Sequence, residues 1–397
     1  MIFLTHLKQM IMRHTQNSHI IKLRQWYLYH DEEAFRQLIQ QADFSLTDNF
    51  LPEQYTKGCE YSWIKGMVDC LVYGDEFHYA VEVDDKVVGC VNISRCNGVY
   101  CQTGILRLVL MHEMCNKGIG TLVVQQIVHE ALHFDPNNKY RHSQGFQRIY
   151  AETIGENKAA ERVLEKNGFA FEGILKNAVC KNGKIYNQKI YGLVIEDEDT
   201  PTQNVIHDNK LRPQNTGYSN NITLKSWCLN DVNAYMDMIR NVDFTYEDEA
   251  ICCSDHSDAM YELEKMIQKE ESKGGFYRAI WLDNKLVGRV NVVRENSEYE
   301  CNGYVGYMVT KEASGYGVGT EAVRRIIDLA FRNSNLERLT AVIYSPNKTS
   351  IRLIEKVGFT QEATIRRAVY KNGHYYDAII YGLLRKDFDI PTPQNEQ

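Results

Sequence analysis

The chain has 397 residues, 44% of them apolar and 24% charged, and a formal net charge of −7. That length suits two domains of ordinary size, each with a core of its own. The acidic balance argues against a protein that grips nucleic-acid phosphates, and no apolar run approaches the ~20 residues that cross a bilayer, so neither nucleic acid nor membrane is expected as a partner.

Residues 1–14 place polar side chains inside a short apolar run and lack a small-residue cleavage site, so they read as a local extension and not a signal peptide. Residues 21–26 alternate like a first strand and lead to Asp31 at a helix start. Residues 78–93 are two β-rich runs joined by Asp84-Asp85, a hairpin. A third strand, 105–110, precedes Lys117-Gly118-Ile119-Gly120-Thr121, a glycine turn that opens a helix. Residues 135–147 are polar, as a surface loop is. A buried-looking strand follows at 148–154, then a helix closing at Asn167-Gly168, then two strands joined by Lys181-Asn182-Gly183, the Asn-Gly hairpin signal.

Residues 196–221 lack apolar periodicity and are rich in Asn, Pro, Thr and acid, which marks a linker. The same order then recurs. Residues 222–227 lead to Asp231, 277–292 form a hairpin about Asp283-Asn284, and 304–309 is a strand. The turn is Ser314-Gly315-Tyr316-Gly317-Val318-Gly319-Thr320, and its helix is expected from Thr320 to about Phe331, with Val323, Ile326, Ile327 and Ala330 on one face. A strand at 338–344, a helix ending at Val357-Gly358 and a hairpin about Lys371-Asn372-Gly373 complete it. Roughly half the positions of 157–193 are identical to those of 347–383, without a gap. A period that long means whole domains, not solenoid repeats. The expected division is a domain at 20–196, a linker at 197–221 and a domain at 222–390, each α/β with a mixed sheet.

A glycine turn between a strand and an amphipathic helix aims backbone N–H groups outward at the helix's positive end, a geometry that binds phosphate. Two nucleotide motifs fail here. Both copies end in Gly-Thr without the lysine of a Walker A loop, and Thr320 stands where the dinucleotide fingerprint needs glycine. The 11 cysteines form no CxxC pair, and Cys252-Cys253 has poor spacing for zinc. They read as reduced thiols of a cytoplasmic protein, and no metal is expected.

The order of strand, hairpin, strand, glycine turn, helix, strand, Asn-x-x-Ser/Ala helix, Gly-Phe and final hairpin resembles the GCN5-related N-acetyltransferases (GNAT), in their RimJ/RimL-like branch. The residues that carry it are Gly306-Tyr307, Gly315 to Thr320, Asn347-Lys348-Thr349-Ser350 and Gly358-Phe359, with Gly118 to Thr121, Asn157 and Gly168-Phe169 in the first copy. The resemblance covers about 20–195 and 222–386. It implies a fold of two tandem GNAT-like domains, each a mostly antiparallel sheet flanked by helices.

It also implies acetyl-CoA as co-substrate. The diphosphate would lie on Ser314, Gly315, Gly317, Val318, Gly319 and Thr320, the pantetheine arm along Met308 and Val309, and Asn347 beside the arm. The first copy offers Lys117, Gly118, Gly120, Thr121 and Asn157. A neutral amine would attack the thioester directly, which needs an oxyanion donor, a base for an ammonium of pKa near ~10, and an acid for the thiolate. The tyrosine acid of many members falls on Leu164 and Ile354, and the carboxylate seen before the last hairpin falls on Val179 and Val369. Ser350 is the candidate acid, Asp377 the candidate base and Tyr376 a candidate relay. Against these stand a helix serine bonding its own backbone, an aspartate fixing a loop or Arg366, and a packing tyrosine.

The first copy has Ala160, Asn187 and Arg107-Leu108 where the second has Ser350, Asp377 and Gly306-Tyr307. The second copy is therefore expected to be catalytic. Residues 243–249 with Asp255, Asp258, Glu262 and Glu264 suggest an acidic rim for a cationic amine, or else a solvated helix. The acceptor is a small-molecule or peptide amine, and the protein a monomer or homodimer. A non-catalytic acyl-CoA-binding sensor is the alternative.

Overall fold

Four two-residue turns set the strand pairing. In the computed structural model of the chain, Asp84-Asp85, Asn182-Gly183, Asp283-Asn284 and Asn372-Gly373 all have positive φ at both positions. Such paired left-handed residues match the twist of the flanking strands and close tight hairpins. The structure describes residues 10–13, 20–46, 56, 58–73, 76–132, 145–195, 221–245, 255–295 and 300–388. The expected linker up to residue 220, most of the expected loop at 135–147, residues 246–249 of the acidic stretch, and Cys252-Cys253 lie outside the described residues.

The chain divides into two compact units. Unit 1 draws its described residues from Met1–Ile174, Gln188–Thr202 and Ile365–Tyr375, unit 2 from Leu175–Asn187, Gln203–Thr364 and Tyr376–Gln397. Each unit thus includes a hairpin tip that belongs to the other sequence copy.

In the first copy the elements are β1 (Met10–Arg13), β2 (Ile20–Arg24), α1 (Glu32–Gln41), α2 (Cys59–Tyr73), β3 (Phe77–Val83), β4 (Lys86–Arg95), β5 (Thr103–Leu110), α3 (Ile119–Leu132), β6 (Arg148–Ile154), α4 (Lys158–Lys166), β7 (Ala170–Lys181) and β8 (Lys184–Val194). The strand order is β1-β2-β3-β4-β5-β6-β8-β7. β5 and β6 run parallel, while β1–β2, β2–β3, β3–β4, β4–β5 and β6–β8 pair antiparallel. One core joins both sheet faces to α1, α2 and α3, with Phe35, Leu38, Ile64, Val123 and Ile127 almost wholly buried.

The second copy repeats the plan as β9 (Ile222–Lys225), α5 (Val232–Arg240), α6 (His256–Glu271), β10 (Gly275–Leu282), β11 (Lys285–Arg294), β12 (Asn302–Val309), α7 (Val318–Asn333), β13 (Arg338–Tyr344), α8 (Lys348–Val357), β14 (Thr360–Lys371) and β15 (His374–Leu384). Its order is β9-β10-β11-β12-β13-β15-β14. Alternation along β10 sends Tyr277 and Ala279 to the α5–α6 layer and Ile280 to the α7–α8 layer. Val323, Ile326, Ile327 and Ala330 are fully buried, as their spacing requires.

Candidate active site

β12 and β13 run parallel but share only three register pairs, Asn302 with Arg338, Gly303 with Leu339 and Tyr304 with Thr340. Side chains lock that base. The Thr340 hydroxyl donates to Asn302 Oδ1 at 3.0 Å and accepts from Arg338 Nε at 3.1 Å. Beyond it, 305–309 keeps β11 on one edge and 341–344 keeps β15, while the facing edges have no ladder among the described residues. Backbone N–H and C=O groups in such a cleft call for a partner, and an extended amide-bearing arm would supply one. The same opening stands between β5 and β6, which pair only through Thr103, Gly104 and Ile105.

The glycine turn lies at the mouth of this cleft. Gly315 and Gly317 have φ of 85° and 83°, and a Cβ at either would meet nothing within 4 Å. They are glycine because the backbone is left-handed, which L side chains resist. Gly319 has another reason. Its Cβ would stand 3.0 Å from Leu353 Cδ1 on α8 and 3.9 Å from Val309 Cγ1 on β12, so α7, α8 and the end of β12 converge there. Gly317 caps α7, and the helix begins at Val318, two residues before the expected Thr320. First-turn amides have no acceptor within a helix, so Val318, Gly319 and Thr320 present donors at its positive end. The first copy reproduces the turn with Asn116 at φ 60° and Gly118 at φ 80°.

At the start of α8, Asn347 Oδ1 accepts the Ser350 amide at 3.1 Å, so its oxygen caps the helix and its Nδ2 is the group that can face a ligand. The Ser350 carbonyl accepts the Tyr307 hydroxyl at 3.4 Å, across the cleft from β12.

A family model described as an acetyltransferase (GNAT) domain matches residues 21–170 and again 221–360. The chain belongs to the GNAT acetyltransferase family. It is an acyl-CoA-dependent N-acetyltransferase with two tandem GNAT domains. Among curated relatives, the prophage-derived uncharacterized N-acetyltransferase YokL of Bacillus subtilis is 29% identical over 133 residues, 32% of this chain and 70% of that protein. The probable N-acetyltransferase YjcK of the same organism is 32% identical over 124 residues, 31% of this chain and 67% of that protein. The putative ribosomal N-acetyltransferase YdaF, also of Bacillus subtilis, is 30% identical over 118 residues, 29% of this chain and 62% of that protein.

The two GNAT copies differ at α4 and α8. Asn157 caps α4 through the Ala160 amide at 3.2 Å and also donates Nδ2 to the Leu46 carbonyl at 3.4 Å. Both ends of its amide are engaged. Leu108 and Ala160 replace Tyr307 and Ser350, so the hydroxyl pair is absent. Tyr307 was missed as a chemical residue because its sequence signal, Gly-Tyr on a strand, is equally that of a packing tyrosine. Ser345 was missed too. It follows β13 where the first copy has Gly155, and its half-buried hydroxyl has no hydrogen-bond partner among the described residues.

Asp377 lies on β15 beside the end of β13, and its carbonyl accepts the Ser345 amide at 2.9 Å. Arg366 Nε pairs with the buried Glu172 carboxylate at 3.0 Å. Asn187, the counterpart of Asp377, accepts the amide of Asn177 at 2.9 Å, where φ is 54°. Tyr376 stacks on Tyr344, with ring centroids 6.4 Å apart and planes 9° from parallel.

Among the described residues of the acidic stretch, three carboxylates have partners. Asp255 accepts the Ser257 and Asp258 amides and caps α6, Glu262 pairs with Lys265, and Asp243 accepts from Thr245. Met308 points its side chain into the α5–α6 core, so only its backbone is available to a ligand. No helix among the described residues is long and apolar enough to cross a membrane.

Proposed function

We propose that this enzyme transfers an acetyl group from acetyl-CoA to a primary amine by direct attack, and that the second copy does the chemistry. The observation that carries this reading is the convergence of three features at Gly319: an open strand edge, a helix start with free amides, and the Asn347–Ser350 turn. The residues fit the co-substrate. Amides of Gly315, Gly317, Val318, Gly319 and Thr320 suit a diphosphate, the edge of Met308 and Val309 suits a pantetheine amide, and Asn347 Nδ2 suits its carbonyl. The amine nitrogen bonds to the thioester carbon, the C–S bond breaks, and the amine's proton balances the one that the departing thiolate takes up. Ser350 with Tyr307 is the donor side, and Asp377 is the candidate base.

Asn157 is engaged at both ends, Leu108 and Ala160 carry no hydroxyl, and Arg107 stands where the second copy has Gly306. These departures support a first copy that does not transfer. A cytoplasmic setting suits the free thiols. The acceptor is a small-molecule or peptide amine. The name of YdaF makes peptide N-termini part of the panel to test.

The test is coenzyme A release from acetyl-CoA, followed by thiol colour with a panel of amines and peptide N-termini. Turnover with at least one amine, lost in Gly317→Val and kept in Gly118→Val, is expected. Equal loss in both variants would overturn the asymmetry, and binding of acetyl-CoA without turnover on any amine would overturn the transfer.

A further inference from the structure

In unit 1, a cavity of about 480 Å³ opens beside α2 and the sheet, with Trp63, Met67, Cys70, His78, Asn92 and Arg107 in its wall. One part of that wall is chemically unusual. Cys70 lies in the last turn of α2, Glu76 just before β3, and His78 is the second residue of β3. A ligand atom from each lies within 4.8 Å of the others. His78 Nε2 is 2.8 Å from Glu76 Oε2. Two polar atoms of the cavity wall, His78 Nδ1 and Asn92 Oδ1, are buried with no hydrogen-bond partner among the described residues, and Asn92 is 2% exposed. Buried polar atoms in that state mark a place where a further group belongs.

Acetyl transfer needs none of the three. The positions 199 residues on are Lys269, Gly275 and Tyr277, which offer no ligand set. The cluster is therefore peculiar to the first copy and not a packing solution that both copies share.

We propose that Cys70, Glu76 and His78 form a zinc centre. A sulfur, a ring nitrogen and a carboxylate oxygen make the donor set of a borderline-soft cation, whereas magnesium and calcium take six or more oxygens. In a tetrahedral zinc site such atoms stand about 3.3–3.6 Å apart. The ligand atoms lie within 4.8 Å of one another, and the 2.8 Å His78–Glu76 contact would widen as the ion enters between them. Three protein ligands leave a fourth position, and two of the three, Cys70 and His78, line the cavity. A bound ion ties the end of α2 to β3 and gives the cavity, with Arg107 in its wall, an affinity for small anions. The expectation of no metal, drawn from the missing CxxC pairs, looked only at cysteine spacing.

The experiment uses the full chain, reduced and stripped with a chelator, and titrated calorimetrically with zinc chloride. Cobalt(II) serves as the spectroscopic probe of a thiolate ligand. One zinc per chain and a thiolate-to-cobalt band are expected. Binding should weaken by at least about tenfold in each of Cys70→Ser, Glu76→Gln and His78→Gln, and stay unchanged in Cys101→Ser. Cys70→Ser is nearly isosteric and keeps the test alive should another variant fail to fold. Unchanged affinity in Cys70→Ser, or a cobalt complex without the thiolate band, would overturn the proposal and leave His78 and Glu76 as a plain ion pair.

Discussion

Arg338 and Glu362 form a buried ion pair at the root of the β12–β13 cleft. Arg338 Nη2 lies 2.6 Å from Glu362 Oε2, with the arginine fully buried and the carboxylate 2% exposed. The same guanidinium holds Thr340 through Nε, and Thr340 holds Asn302. Gly382 is the floor beneath the pair, since a Cβ there would fall 2.6 Å from the Glu362 carboxylate. That explains the glycine in the repeated Tyr-Gly-Leu, because Gly192 lies in the same way under Arg148 and Glu172.

Removing one partner should therefore cost more than removing both. Glu362→Gln leaves a buried guanidinium short of its counter-charge, at an expected loss of about 3–5 kcal/mol, while Arg338→Met with Glu362→Leu costs less than either single change. Urea unfolding of Glu362→Gln, of Arg338→Met and Glu362→Leu alone, and of the double variant measures this. A double variant as unstable as the sum of the singles would show that the pair is not coupled.

The glycines of the turn should separate by mechanism. Gly317→Ala meets open space but a φ of 83°, which costs about 1 kcal/mol of stability. Its larger effect should be on the co-substrate, because the amides that follow lose their aim. The KM for acetyl-CoA is expected to rise tenfold or more on the scale of about 1.4 kcal/mol per decade. Gly319→Ala has ordinary φ but meets Leu353 at 3.0 Å, so stability falls with it. Thermal unfolding and saturation kinetics on the two variants distinguish strain in the backbone from crowding.

The turns, the buried face of α7 and the tandem plan were legible because each depends on near neighbours: Asn-Gly pairs, a 3.6-residue stripe, a glycine cluster before it. The site was legible only where the repeat quoted a motif. Tyr307 and Ser350 are 43 positions apart and Arg366 and Glu172 are 194 apart, and no local pattern foretells which of several tyrosines or arginines the sheet will bring to a given partner. Cys70 and His78 are close in sequence, but their convergence depends on the angle at which α2 returns to β3. The helix start at Val318 was placed late because a left-handed glycine cap is a matter of φ, not of composition.

Ser350 and Tyr307 should act on the chemical step. Ser350→Ala is expected to lower kcat by about 10²–10⁴, the range of a general acid, with little change in the KM for acetyl-CoA. Tyr307→Phe removes the hydroxyl that reaches the Ser350 carbonyl and should reduce kcat less, as a group that positions the serine. Paired variants in a cycle test this, since two residues that act together lose less in combination than the sum of their separate losses. Ser350→Ala with undiminished kcat would make the serine a helix residue and no more.

Acid should find unit 1 at Asp31. Its carboxylate accepts Arg24 Nη1 at 2.7 Å and the Tyr27 amide at 2.8 Å, while Arg24 also reaches Glu82 at 2.7 Å. Burial opposes ionisation of Asp31, but Arg24 and the Tyr27 amide outweigh it and hold its carboxyl below the ordinary value of 3.8. A carboxyl depressed on folding takes up its proton first in the unfolded chain. Its stabilisation is therefore complete above about pH 4 and drains away as the pH falls through the lower, folded value. In the second copy Asp231 accepts the Cys228 amide in the corresponding turn, and Lys225 lies over Trp281, with no ion pair between Asp231 and Lys225 among the described residues. Asp31→Asn should cost about 3 kcal/mol at neutral pH, less what Glu82 restores to Arg24, and should flatten the stability profile below pH 4. Denaturant unfolding of wild type and variant at stepped pH reads both effects. Parallel profiles would assign the acid sensitivity to other carboxylates.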